Sequence, residues 1–276
     1  MAERSAPQLR LRVFAGLNGS GKSTVIKKIQ ETEVGDNVRL DFGIYINADD
    51  IAQNLRIGKF TFFIYKIRCT RKELVSFAES SGLVSSDFTK QEFEQSFVIN
   101  GNTLKLSIES NLDRVAQIVA RYLRQALIKA RRRFSFETVF SHESNLDDMK
   151  EAAKAGYKVY LYFVSTESPE INKYRVALKV KEGGHNVLPE RIEKRYYRSL
   201  ELSHEATEIA YQAFFFDNSI NDTPYRVVGH FKKVGNIKDW QEIPEDQMSV
   251  WFKKYYLNKD SKGRSNDLVD SGIRRK

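Results

Sequence analysis

The sequence predicts an α/β fold: a mainly parallel sheet with helices on both faces and a helical insertion between its second and third strands. Three observations carry that prediction. Short β-branched and aromatic runs alternate with stretches of helical periodicity, as parallel sheets require. A glycine-rich turn joins the first such run to the first helix. Acidic residues follow the second and third runs, at the carboxyl ends where these sheets gather their chemistry.

In chain order, Leu9, Leu11, Val13, Phe14 and Ala15 form the first buried strand. A helix over 22–30 follows and is broken by Gly35. The second strand, 42–47, stops at Asp49 and Asp50, and a helix is expected from near Ile51. Residues from about 58 to 110 make a long, mostly helical interruption, far beyond the ~2–6 residues usual in such connections. Leu112, Val115, Val119, Leu123 and Leu127 then recur at helical spacing. The third strand, 134–136, has Glu137 at its carboxyl end, and a helix over 145–155 stops at Gly156. The fourth strand is 158–164, and strands at 213–216 and 225–231 complete the sheet. Residues 1–257 are read as a single domain, and the polar tail 258–276 as disordered.

Composition excludes several classes. The 276 residues are 41% hydrophobic and 29% charged, a globular balance. Mean hydropathy is −0.50, and the longest apolar runs, 60–65 and 214–216, are too short to span a bilayer. The first residues lack the apolar centre of a signal peptide, and the single cysteine, Cys69, suits a reducing compartment. A cytoplasmic protein with no membrane partner is expected. With 45 Lys and Arg against 36 Asp and Glu, the net charge of +9 favours a polyanionic partner, either nucleic acid or something phosphorylated.

Residues 16–23 match the phosphate-loop pattern G-x-x-x-x-G-K-[ST] in full. Gly16, Asn18, Gly19, Ser20 and Gly21 let the backbone turn its amides around a polyphosphate, at the positive end of the following helix. Lys22 would reach the β- and γ-phosphates of ATP, Ser23 would hold Mg²⁺, and Thr24 closes the motif. The bland alternative is an ordinary strand-to-helix turn.

Phosphoryl transfer also needs a carboxylate to take or orient the proton of the attacking hydroxyl. Asp49 is placed for that role by following strand two; alternatively it only caps the next helix. Glu137 is a candidate for holding Mg²⁺ through water or for acceptor binding, or simply a strand-end carboxylate, and Asp50 suits a first-turn position complementing the helix dipole. Residues 169–200 read as a lid of two short helices around a Gly183-Gly184-His185 hinge. Arg175 and Lys179 share one helical face, and Arg191, Arg195 and Arg198 share the other. Arginine suits charge spreading over a transferred phosphoryl group, although Glu190 and Glu193 are available to pair with these residues.

Taken together, these segments resemble the zeta-toxin-like P-loop kinases. The ordered set is 15–24, then Ile46-Asn47-Ala48-Asp49-Asp50-Ile51-Ala52, Phe136-Glu137-Thr138, Gly156-Tyr157-Lys158-Val159, Arg175-Val176-Ala177, Gly183-Gly184-His185-Asn186 and Arg195-Tyr196-Tyr197-Arg198-Ser199-Leu200. The resemblance implies a P-loop kinase-type fold and transfer of the ATP γ-phosphate to a sugar hydroxyl, with a UDP-amino sugar as acceptor. It also implies a small antitoxin protein as partner. On it, Asp49 falls at the catalytic base, Arg175 at a phosphate-binding arginine and Glu137 at an acceptor-binding acid. This chain has His185 where those toxins carry a second phosphate arginine, so Arg191 or Arg195 is expected to take its place.

Two other functions remain open on the sequence. A kinase of nucleic-acid ends would want a basic acceptor groove, for which 131–133 is the dense run outside the lid and tail. A nucleotide-dependent binding module would need Lys22 but not Asp49.

Overall fold

The computed structural model describes residues 8–33, 39–183, 187–221, 223 and 225–257. The expected tail and residues 184–186 of the expected hinge lie outside the described residues. In chain order the elements are β1 (Arg10–Gly16), α1 (Lys22–Glu31), β2 (Ile44–Ile46), α2 (Ala48–Arg56), α3 (Arg71–Ser80) and α4 (Lys90–Gln95). Next come β3 (Phe97–Asn100), β4 (Thr103–Leu106), α5 (Leu112–Lys129), β5 (Phe134–Thr138), α6 (Ser144–Lys154) and β6 (Lys158–Ser165). The chain continues through α7 (Pro169–Lys181), α8 (Pro189–Ile209), β7 (Gln212–Asp217), β8 (Arg226–Val234) and β9 (Ile237–Trp240). The seven-stranded sheet has the order β2-β5-β1-β6-β7-β8-β9, and β3 and β4 form a separate two-stranded sheet among the described residues. The fold is α/β, as expected.

Contacts cluster into two compact units. The first comprises Met1–Leu11, Asp41–Glu137 and Lys154–Tyr157; the second comprises Arg12–Leu40, Thr138–Ala153 and Lys158–Lys276.

Within the first unit, β2 and β5 run parallel with Ile44 opposite Phe134 and Ile46 opposite Phe136. Strand β2 is shorter than the expected 42–47. Helix α5 buries Leu112, Val115, Val119, Leu123 and Leu127, the stripe that its spacing predicts. Each such side chain contributes about 1.5–3 kcal/mol when fully withdrawn from water. The segment after α2 starts its helices with reciprocal caps, Thr70 with Glu73 and Thr89 with Glu92. It also contains the antiparallel hairpin β3–β4, closed at Asn100 and Thr103, which the helical reading did not anticipate. Phe60, Phe62, Phe93 and Phe97 are fully buried there, with Phe60 and Phe62 edge to face at 5.0 Å.

In the second unit β6 and β7 are parallel, from Tyr160 opposite Gln212 to Ser165 opposite Asp217. Strands β8 and β9 add antiparallel pairs, with a bulge between Phe215 and Phe216, and β9 is a strand beyond those expected. Phe163, Phe215 and Phe231 fill the core with Trp251, Phe252 and Tyr256. The buried Asp217 accepts from Trp251 Nε1 at 2.8 Å, and Glu167 accepts from the Val250 amide at 3.0 Å. Helix α8 is not short: it runs 21 residues and buries Ile192, Tyr196, Leu200, Leu202 and Ala206. Beyond the arginines its buried face continues through Leu200, Leu202 and Ala206, with Ser199, Ser203 and Thr207 between them, which keeps it helical past residue 200.

Candidate functional site

The phosphate loop lies between β1 and α1 in the second unit. Gly21 precedes α1 with φ 81 and ψ 16, and Gly19 also has φ 81; both are left-handed conformations that glycine adopts freely. A β-carbon at Gly19 would meet Asn172 O at 2.7 Å, and one at Gly21 would overlap the Asn218 side-chain amide. Three successive loop carbonyls accept from side chains: Asn18 O from Asn172 Nδ2 at 3.0 Å, Gly19 O from Arg175 Nη1 at 3.4 Å, and Ser20 O from Asn218 Nδ2 at 2.9 Å. The Ser20 amide donates to Leu17 O at 3.1 Å, and the Thr24 amide to Gly21 O at 3.0 Å.

This loop fits a polyphosphate. Its glycines take left-handed conformations and sit against Asn172 and Asn218 where a β-carbon would clash, and no acid occupies the first turn of α1 to neutralise its positive end. Ser20 is fully buried, and its Oγ has no partner among the described residues. Ser23 is exposed on the first turn of α1. Among the described residues no group of three His, Cys, Asp or Glu could hold a metal.

The arginines of α7 and α8 are differently engaged. Arg175, expected at a phosphate, donates from Nη1 to Asn218 O at 2.7 Å and from Nε and Nη2 to Asn221 Oδ1 at 3.0 and 2.7 Å. Arg198 pairs with Glu143 and, at 3.2 Å, with Glu201, so it is not a free lid cation. Glu193 takes Lys173 rather than an arginine. Arg191 is exposed in the first turn of α8. Burial, and then the charge of Arg191, hold Arg195 below its ordinary pKa.

The candidate acids are in the first unit. Helix α2 starts at Ala48, and its cap is Asn47, whose side chain accepts the Asp49 amide at 2.9 Å. Asp49 is therefore not the cap; it stands with Asp50 in the first turn. Glu137 Oε2 accepts from the Tyr45 hydroxyl at 2.7 Å and from Asn47 Nδ2 at 3.3 Å. The β2–β5 register brings these groups level, because residues two apart on paired strands face the same way. Burial first, then Glu137 and then Asp49, push the Asp50 carboxyl above its ordinary pKa. Tyr45 is raised by burial and then by Glu137, and Tyr65 is pushed up to about 12 by burial and then Asp50.

Also in this unit is a cleft of about 640 Å³ whose lining includes Tyr45, Tyr65, Lys66, Arg132, Arg133 and Asp41. Arg133 pairs with Asp41 at 2.8 Å. Sequence reasoning missed Tyr45, Asn47, Asn172 and Asn218. The Asn47 cap position was readable from the acids that follow it. Nothing local marked Asn172 or Asn218, which lie 154 and 198 residues from the carbonyls they hold.

Fold and loop together define an α/β protein of the phosphate-loop class. A Haemophilus influenzae protein described as uncharacterized is 30% identical over 121 residues, covering 41% of this chain and 85% of that one. This chain belongs to the same family as that protein. No protein-family model matches the chain. Similar solved structures include one from the PezAT chromosomal toxin-antitoxin system of Streptococcus pneumoniae, at 13% identity and TM-score 0.45, covering 78% of this chain and 70% of that one. Another is the AvrRxo1-ORF1:AvrRxo1-ORF2 complex with sulphate ions, at 13% identity and TM-score 0.49, covering 88% of this chain. This chain spans 64% of that protein, under two thirds of its length. Among the described residues no helix is long and apolar enough to cross a membrane.

Proposed function

We propose that this chain is an ATP-dependent phosphotransferase of the zeta-toxin-like kind, moving the γ-phosphoryl group of ATP to a hydroxyl of a small acceptor. The observation that carries the reading is the phosphate loop, with its left-handed glycines and its outward-tied carbonyls. The ordered motifs favour a UDP-amino sugar as acceptor and a small antitoxin as a protein partner in the cytoplasm.

In this mechanism the acceptor oxygen attacks the γ-phosphorus, the bond to the bridging oxygen of ADP breaks, and Asp49 takes the hydroxyl proton. Glu137, held by Tyr45 and Asn47, positions the acceptor. Lys22 and Arg191 meet charge on the phosphoryl oxygens. Ser23 would hold Mg²⁺, which would supply charge neutralisation on the polyphosphate.

A second reading, a kinase of nucleic-acid ends, is favoured by the cleft lined by Lys66, Arg132 and Arg133. Labelled ATP, offered with a panel of nucleotide sugars, simple sugars and oligonucleotides, tests both. Label on a small acceptor with the wild type and none with Lys22→Ala is expected. Label only on oligonucleotides, with binding that falls steeply with salt, would replace the first reading by the second.

A further inference from the structure

We propose that Asn172, Arg175 and Asn218 form a clamp that holds the phosphate loop in its anion-binding shape. Arg175 is then a positioning residue rather than a donor to the transferred phosphoryl group. The proposal rests on the reading that this loop binds nucleotide.

The carbonyls of Asn18, Gly19 and Ser20 are each taken by a different one of these side chains. A planar peptide points its C=O and N–H in opposite directions. Fixing the carbonyls of Asn18 and Ser20 on one side therefore aims the amides of Gly19 and Gly21 to the other. Such successive amides are what an anion-binding concavity requires.

The clamp is itself oriented. Asn172 is fully buried, and its Oδ1 accepts from the Thr166 hydroxyl, which leaves Nδ2 as the group facing Asn18. Asn218, which holds Ser20, offers its own carbonyl to Arg175 Nη1 at 2.7 Å. Arg175 closes the circuit through Gly19 O, Ser219 O at 3.4 Å and the side-chain oxygen of Asn221. The planar fork of its guanidinium serves all four acceptors at once, which a lysine ammonium cannot do. To reach a phosphate it would have to break these bonds and release the loop that binds that phosphate. The close approach of Asn172 to Gly19 and of Asn218 to Gly21 fits the same device: the clamp seats only against glycine.

The test is a kinetic and binding comparison of Arg175→Lys, Asn218→Ala and Lys22→Ala with the wild type. Calorimetry with MgADP reads the loop without turnover. The clamp predicts that Arg175→Lys and Asn218→Ala weaken MgADP and raise KM for ATP by about tenfold or more, with kcat nearly unchanged. It also predicts that the double variant loses little beyond the single ones, because each opens the same circuit. Arg175→Lys keeps charge and approximate length, and Asn218→Ala lies on a separate segment, so the result does not hang on one variant folding. A fall in kcat with unchanged MgADP affinity in Arg175→Lys would make Arg175 a donor to the phosphoryl group and overturn the clamp. Unchanged values in both variants would overturn it as well. If Lys22→Ala binds MgADP as the wild type does, the nucleotide reading fails first and takes the clamp with it.

Discussion

The phosphate loop and the acid cluster are built on opposite principles. The loop is shaped by hydrogen-bond donors and glycine: its backbone oxygens are held by two asparagines and one arginine, and close contacts leave no room for β-carbons at Gly19 or Gly21. The cluster of Asp49, Asp50 and Glu137 is instead loaded with like charge, and its geometry rests on Tyr45 and Asn47. A binding surface for a fixed anion gains from rigidity. The cluster gains a pH response from neighbours that disfavour the charged form of Asp50. Damage to the loop should therefore appear in nucleotide affinity and stability, and damage to the cluster in turnover and pH dependence.

The largest expected effect breaks the cluster without touching the loop. Asp49→Asn preserves size and the position in the first turn of α2 but removes the proposed proton acceptor. Transfer should fall by ~10²–10⁴-fold, the usual contribution of a general base, while MgADP binding stays as in the wild type. Rapid-quench measurement of acceptor phosphorylation, paired with calorimetry, separates the two. Near-full transfer by the variant would leave Asp49 with only a dipole role.

Gly21→Ala is the converse experiment. The added methyl meets both a left-handed φ of 81 and the Asn218 amide. A strained backbone position of this kind costs of order 1–3 kcal/mol, and the same contact displaces the group that holds Ser20. Urea denaturation should show a lower midpoint, and MgADP affinity should fall with it. A variant of unchanged midpoint and affinity would mean that the loop yields easily, and the contrast with the cluster would dissolve.

What was legible in the sequence follows the same division. The loop was readable because its pattern is local: glycines, Lys22 and Ser23 sit at fixed offsets between a strand and a helix. The buried stripe of α5 was readable because 18 residues repeat one spacing. The two hairpins also had local signals that went unused: Gly101-Asn102 and Gly235-Asn236 are two-residue turns flanked by strand formers. The caps Thr70 and Thr89 carried the Thr-x-x-Glu signature as well. The clamp was not readable. An asparagine in a helix or after a strand is common, and only the fold brings Asn172 and Asn218 to the loop.

The smallest effect is the sharpest test of the cluster's electrostatics. Asp50 stands in the first turn of α2, where the helix dipole favours its ionised form. Burial and the charges of Glu137 and Asp49 act the other way and prevail, raising its pKa above the ordinary 3.8. A raised folded-state value means that the folded protein binds the proton more tightly than the unfolded chain. The resulting stability is fully present below the ordinary value and is lost as pH rises through the raised one. Asp50→Asn removes this titration, so its stability relative to the wild type should grow as pH rises from about 3.8 and then level off at neutral pH. Asp50 is only partly withdrawn from water, so solvent screening keeps the gain small. Urea midpoints of the two proteins at half-unit intervals from pH 3.5 to 7.5 resolve the trend. If the wild type instead gains on the variant with rising pH, the dipole outweighs the neighbouring acids, and the cluster is no more charge-loaded than an ordinary helix start.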